Sequence, residues 1–399
     1  MIPASLLRAL LVGAVGRAGN GAFATALLLS TLATGGSASQ GGLLIAMDAI
    51  GGALFGPFVG GMVDAARRPR GVFVSGLAVR IAATLAIAIG ITLWSLPVLA
   101  VLAFVGGMVA PVLVGAWTGV LREVAPEVPA QRAYSLDVAT YNIGDIAGPA
   151  LASVALLLGP RGPLWMEVAI FTVGLGLMAI VVLPTHPQRP GWRHGLSVRR
   201  VINGSKPLVT RPLLRRSTVI TSLAYGFTSA FMIAAPLVGH DLGRGYGFGG
   251  VLLVTAAIAA LITSLLMARL GPGWHPDVVI VLGTVGVGAS FLFLAFAPTW
   301  QLAVVAAAVF GVVDTPLITA IFQVRDRETT EAERAQVFTV AASIRTGTYA
   351  AGAAISGRLA TAGGPVLVLV VAAIAQPIAV LTGLLLVPPH RLMVRFRKS

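Results

Sequence analysis

Twelve apolar stretches, each about as long as the 20 residues a helix needs to cross the hydrocarbon core, dominate this chain. They leave few folds open, because backbone polar groups in lipid must be satisfied within their own segment, which means helices. The stretches run 7–33, 41–63, 71–93, 97–120, 137–158, 163–183, 217–239, 248–269, 277–297, 300–323, 336–360 and 364–387, and are numbered spans 1 to 12. Charged residues make up 11% of the chain, against about 25% in soluble proteins. The first stretch is too long for a signal-peptide core and no small-residue cleavage site follows it, so it is expected to be retained as a span. The expected fold is an all-α integral membrane protein of twelve transmembrane helices in two pseudo-symmetric six-helix bundles.

Orientation follows from the basic residues. With both termini in the cytoplasm, 22 Lys and Arg fall on the cytoplasmic side and only Arg161 and Arg244 on the other, while Arg17, Arg80, Arg345 and Arg358 lie within spans. The formal net charge of +14 is therefore a topology signal facing anionic lipid. No basic face interleaved with aromatics points to nucleic acid. Arg outnumbers Lys 26 to 2 in an Ala- and Gly-rich chain, a composition that fits a GC-rich bacterial genome and hence a bacterial cytoplasmic (inner) membrane. The chain has no Cys, and its five His fall in or beside breaks between apolar runs. Neither a metal site nor a cofactor is expected.

The longest break, 184–216, divides the spans six and six, into an N-terminal bundle (1–183), a basic linker and a C-terminal bundle with a short basic tail (217–399). Parallel six-helix repeats are a transporter signature. The halves also match in residues. Leu121-Arg122-Glu123, Gln131-Arg132-Ala133 and Asn142-Ile143-Gly144 correspond to Val324-Arg325-Asp326, Glu333-Arg334-Ala335 and Arg345-Thr346-Gly347. The linker mixes Leu196, Val198, Val201 and Ile202 with Arg193, Arg199 and Arg200. It reads either as a short helix on the cytoplasmic leaflet or as a plain basic connection.

Between spans 2 and 3 the chain reads Gly60-Gly61-Met62-Val63-Asp64-Ala65-Ala66-Arg67-Arg68-Pro69-Arg70. This resembles the signature loop of the major facilitator superfamily through Gly60, Asp64 and Arg68, and departs from it at Ala65, Arg67 and Pro69. In span 5, Gly144-Asp145-Ile146-Ala147-Gly148-Pro149 resembles the core of the antiporter motif of the superfamily's exporters, with Ala152-Ser153 in place of a Gly pair. Arg17-Ala18-Gly19-Asn20 and the stretch from Leu208 to Arg216 are similar to the enterobactin-exporter-like and drug-exporter branch. Span 4 lacks the Arg that many proton-coupled exporters carry. The resemblance implies a major facilitator fold with spans 1, 4, 7 and 10 around a cavity and spans 2, 5, 8 and 11 at the seam between halves. It also makes Gly60, Asp64, Arg68, Glu123, Gly144, Gly148 and Pro149 candidate gating residues. Asp64 would face the positive N-terminus of span 11 near Ala335, and Arg68 would pair with Glu123, latching the cytoplasmic side shut.

Ionisable residues within spans are costly and default to functional candidates. Arg17, Asp145, Asp314 and Arg345 sit at similar depth, which makes Arg17 with Asp145 and Asp314 with Arg345 the economical pairs. For proton coupling the expected order is Asp314, then Asp145, then Asp48, with Arg17 and Arg345 as partners. Arg80 reads as structural, and Glu167 as an edge residue near the outer surface. Candidates for substrate contact are Asn20, Trp117, Tyr225, Phe231, Met232 and Gln323, whose aromatic and thioether groups suit amphipathic ligands.

The expected function is secondary transport, not enzymatic: proton-coupled efflux of a small amphipathic molecule by alternating access. The same architecture would serve a uniporter or a proton-coupled importer of a small metabolite. A non-transporting receptor would need a sizeable soluble loop. The expected partners are the small-molecule substrate, protons and membrane lipid, with no nucleic acid, and the chain is expected to act as a monomer.

Overall fold

The computed structural model describes residues 3–112, 116–128, 130–196, 202, 206–270 and 275–386. Among them there is helix and connection but no strand. Spans 1 to 3 are Ala4–Ala33, Ala38–Ala65 and Pro69–Gly90; span 4 is Leu96–Pro111 with a continuation at Trp117–Val124. Spans 5 to 10 are Ala130–Ala155, Gly162–Leu177, Pro212–Asp241, Phe248–Leu270, Pro276–Ala295 and Trp300–Arg327. Spans 11 and 12 share the continuous stretch Glu331–Leu386, divided at Gly363 and Gly364. Gly364 takes φ 72° there, a left-handed turn that glycine adopts without steric cost. Nine of the described helices are apolar and long enough to cross a membrane. Twelve crossings put residues 4 and 386 at one end of the bundle, the terminal end.

Helix starts follow local chemistry. Span 2 opens on a capping box, in which the Gln40 amide donates to Ser37 Oγ and the Ser37 amide to Gln40 Oε1. Proline stands in the first turn of spans 3, 4, 6, 7 and 9, where its missing N–H costs nothing. Spans 5 and 11 begin seven and five residues earlier than their apolar runs, because polar helix formers extend them beyond the hydrocarbon.

The packing is pseudo-symmetric. Span 1 lies on span 5 as span 7 lies on span 11, and span 2 on span 4 as span 8 on span 10. Between halves, span 2 meets span 11 and span 5 meets span 8. Among the described residues both seams are tight at the end away from the termini, and the seam of spans 2 and 11 loosens toward the termini. A Cβ on Gly42 would lie 2.6 Å from Ala353 O and 2.9 Å from Gly357 Cα, whereas one on Gly56 would meet Ser343 Oγ at 3.7 Å and one on Gly60 nothing within 4 Å. Likewise Gly250 of span 8 touches Ser153 near the far end of span 5. One apolar cluster joins both halves, with Leu27, Leu28 and Leu44 beside Ile233, Ala234 and Ala353. A second, with Leu6, Val12, Phe73, Trp117 and Phe171, belongs to the N-terminal half alone. Among the described residues the halves are thus sealed at the far end, and spans 2 and 11 draw apart toward the terminal end. Exposed apolar side chains such as Leu54, Val101, Val173, Leu265 and Leu381 suit contact with lipid tails.

Candidate functional site

The cleft between the halves is flanked by three polar groupings. In the first, Arg17 of span 1 is buried and donates through Nη1 to Asp137 Oδ1 at 2.5 Å and through Nη2 to Asp137 Oδ2 and Thr118 Oγ1, both at 2.9 Å. Thr140 also receives an Nη1 bond, and the Thr118 hydroxyl donates to Asp137 Oδ2 at 2.6 Å. The Tyr141 ring lies 3.6 Å from the guanidinium. This arrangement is a satisfied buried ion pair joining spans 1, 4 and 5. It corrects the expected pairing of Arg17 with Asp145, which lies two turns further along span 5. Asp145 is exposed and makes no ion pair among the described residues. At four-residue spacing it shares a face with Pro149 and Ser153, the face that meets span 8.

The second grouping corrects the reading of Glu167 as an edge residue. Arg80 of span 3 sits 2.5 Å from Asp48 of span 2 and 3.9 Å from Glu167 of span 6. Glu167 is fully buried, because the outer turn of span 6 turns it inward with Phe171 four residues on.

In the third, Asp314 and Arg345 line one small cavity of the C-terminal half with Tyr225, Thr221, Thr228 and Gln376. They face common space without an ion pair within 4 Å among the described residues. Arg345 instead lies 4.0 Å over the Tyr225 ring, and Tyr225 packs against Tyr349 at 5.4 Å. The halves therefore mirror each other with roles exchanged: an Arg from span 1 on a Tyr from span 5, and an Arg from span 11 on a Tyr from span 7.

At the terminal end the expected Arg68 to Glu123 pair is replaced by another. Arg189 Nη2 donates to Glu123 Oε1 at 2.7 Å and His186 Nε2 lies 3.0 Å from Glu123 Oε2. Arg68 is exposed. The linker reaches Glu123 because its backbone is already tied to the loop after span 2, through His186 N to Arg67 O at 2.8 Å and Gly191 N to Ala65 O at 2.9 Å. Burial raises the Glu123 carboxyl, but the bonds from Arg189 and His186 outweigh it and hold the group below the ordinary glutamate range. The side chains of Asp64 and Ala335, and the linker stretch 197–201, lie outside the described residues.

Gly144 and Gly148 form the contact of span 5 with span 1. A Cβ on Gly144 would lie 2.8 Å from the Arg17 backbone carbon. Of the expected cavity residues, Tyr225 lines the Asp314 cavity, and Met232 reaches across the halves to accept from the Thr25 hydroxyl at 3.6 Å. Asn20 and Gln323 are half-buried. Trp117 and Phe231 do not line the path. Trp117 is fully buried, donates to Ala9 O at 3.0 Å and stands edge-on to Phe73. Phe231 packs within its own half on Phe310 at 4.8 Å. Sequence reading missed Asp137, Thr118, Tyr141 and Tyr349. The spacing of Asp137, Tyr141 and Asp145 at successive fourth positions was the available signal.

The chain belongs to the major facilitator superfamily, whose family model matches residues 9–227. It is 25% identical over 371 residues to the uncharacterized MFS-type transporter y4rN of Sinorhizobium fredii (strain NBRC 101917 / NGR234), covering 89% of this chain and 88% of that one. Among solved structures it is similar to the nucleoside transporter NupG, with a TM-score of 0.73 at 13% identity over 96% of this chain and 99% of the other. A D-xylose-proton symporter gives a TM-score of 0.72 at 13% identity over 96% and 98%. The chain is a multi-pass membrane protein and a transporter of this superfamily's type.

Proposed function

We propose that the chain is a proton-coupled secondary transporter that exports a small amphipathic molecule from the bacterial cytoplasm by alternating access, its terminal end facing the cytoplasm. The observation that carries this reading is the seam geometry. Among the described residues spans 2 and 11 are locked at the far end and draw apart toward the terminal end, and spans 5 and 8 touch at the far end, with ionisable residues flanking the opening. That is the inward-facing member of an alternating pair. The outward-facing member forms when the loop carrying Gly60, Asp64 and Arg68 closes on the start of span 11. Aromatic and thioether groups at the cleft, Tyr225, Tyr349 and Met232, suit an apolar or amphipathic solute. Export rests on the Gly144 to Pro149 segment, and the basic asymmetry supports the cytoplasmic placement of the terminal end. The transporter works as a monomer in lipid and needs neither nucleic acid nor cofactor.

The test is transport in proteoliposomes under an imposed pH gradient, screening amphipathic compounds with an internal pH dye. Solute moving against the proton supports export, and solute moving with it assigns the same machinery to import. Flux indifferent to the gradient assigns it to uniport.

A further inference from the structure

Asp48, Arg80 and Glu167 are buried together in the N-terminal half. Arg80 is 1% exposed and Glu167 0%, while the Asp48 side chain keeps 21% and is the one member that reaches the cleft. Arg80 Nη1 donates to Asp48 Oδ1 at 2.5 Å. Its other contact is longer, 3.9 Å from Nη2 to Glu167 Oε1, and neither Glu167 oxygen has a hydrogen-bond partner among the described residues. The rest of the pocket is apolar: the Phe23 ring lies 3.6 Å from the guanidinium and the Phe171 ring 5.6 Å. The other titratable group in electrostatic reach is Tyr349 of span 11, on the Asp48 side.

Two carboxylates here share one cation, and Arg80 and Glu167 are shut away from solvent while Asp48 alone keeps an exposed edge. With all three ionised, the buried side of the pocket holds an uncompensated negative charge, which is unfavourable in such surroundings. One proton removes that charge. Asp48 makes the short charge-assisted contact and is the ionised partner. Glu167, without a hydrogen-bond donor among the described residues, is the group placed to take it.

We propose that Glu167 is a proton-binding site and that the Arg80 guanidinium passes from Asp48 to Glu167 when the proton leaves. The step balances. The Glu167 O–H bond breaks, the proton passes to Asp48 at the cleft, and the guanidinium pairs with the new Glu167 carboxylate, so the triad keeps its charge until Asp48 hands the proton to water. Its mechanical consequence follows from position. Asp48 lies six residues along span 2 from Gly42, in the far-end seal against span 11, and its backbone is packed on Gly107 of span 4. Releasing Arg80 from Asp48 loosens the helix that holds the seal. The use of this site in transport rests on the proton-coupled reading above; its protonation does not.

Two measurements on the full-length protein in nanodiscs test it. Infrared difference spectra across a pH titration are expected to show a protonated-carboxyl C=O band that persists at neutral pH, is lost in Glu167→Gln and is kept in Asp314→Asn. An unchanged band in Glu167→Gln, or no such band in the wild type, overturns the proposal. If Glu167→Gln does not insert, carbon-13 labelling of glutamate in the wild type decides the same point, since only a Glu band shifts.

The second measurement reads the seal. The Ser39 amide donates to Thr361 Oγ1 at 3.0 Å across it, and the Cys-free chain allows Ser39→Cys with Thr361→Cys to be cross-linked by a short bifunctional thiol reagent. Yield is expected to fall as pH rises, and Glu167→Gln to hold it at the low-pH level throughout. A yield with the same pH dependence in both backgrounds overturns the switch. Failure of proton-driven solute flux with both results intact would count against coupled transport and leave the proton site standing.

Discussion

Gly148 of span 5 packs so closely on Ala22 of span 1 that a Cβ on it would lie 2.5 Å from the Ala22 amide nitrogen and 2.6 Å from the Gly21 carbonyl carbon. Those are backbone atoms, so the helices must separate to admit a methyl group. Gly148→Ala is expected to destabilise the protein by about 1–3 kcal/mol, as overpacking does. Gly60→Ala meets nothing within 4 Å and is expected to leave stability unchanged to within about 0.5 kcal/mol, while slowing transport if that turn closes on span 11. Thermal unfolding in detergent separates the two effects from flux.

The Arg17 to Asp137 pair gives a contrast within one helix. Asp137→Asn leaves a buried guanidinium without its counter-charge and is expected to cost about 3–5 kcal/mol. Asp145→Asn removes an exposed, unpaired carboxylate and is expected to change stability by less than about 0.5 kcal/mol. A loss of melting temperature in Asp145→Asn with none in Asp137→Asn would show that Asp145, not Asp137, neutralises Arg17.

Hydropathy made the twelve crossings readable, since each span must satisfy its own backbone. Partner choice was not readable in the same way. Asp137 is the first residue of its apolar run, and only the start of span 5 at Ala130 places it well inside the helix. Glu167 lies near the outer end of its run, and depth alone says nothing of the azimuth that turns it toward Arg80. Trp117 and Phe231 show the same limit, because an aromatic on a cavity helix can face its own bundle instead. Glu123 found Arg189 because backbone bonds between the linker and the loop after span 2 brought them together, which spacing cannot reveal.

That linker clasp has a defined pH dependence. The Glu123 carboxyl is held below its ordinary value of 4.5, so the contact stabilises the folded protein fully above that value and ceases to do so as pH falls through the lowered one. The pair is partly solvated, and its worth is at most about 1 kcal/mol. Melting curves of wild type and Glu123→Gln are expected to differ near neutrality and to converge in acid. A gap that stays constant on acidification would remove Glu123 as its source.

Asp314 is proposed as a coupling carboxylate in the C-terminal half, facing Arg345 across their shared cavity. Asp314→Asn mimics the protonated form and is expected to abolish solute flux driven by a pH gradient while sparing downhill exchange. Because the change also removes a negative charge near Arg345, its melting temperature must be read alongside. A folded Asp314→Asn protein that still concentrates solute using protons would make the Asp314 and Arg345 grouping structural.

Proton-coupled alternating access is tested most directly by solute flux in proteoliposomes, measured with an imposed pH gradient and again after the gradient is collapsed by a proton-exchanging ionophore. Concentrative flux opposite to the proton, lost on collapse and lost in Asp314→Asn, is the expected result. Flux at the same rate with and without the gradient would contradict the account.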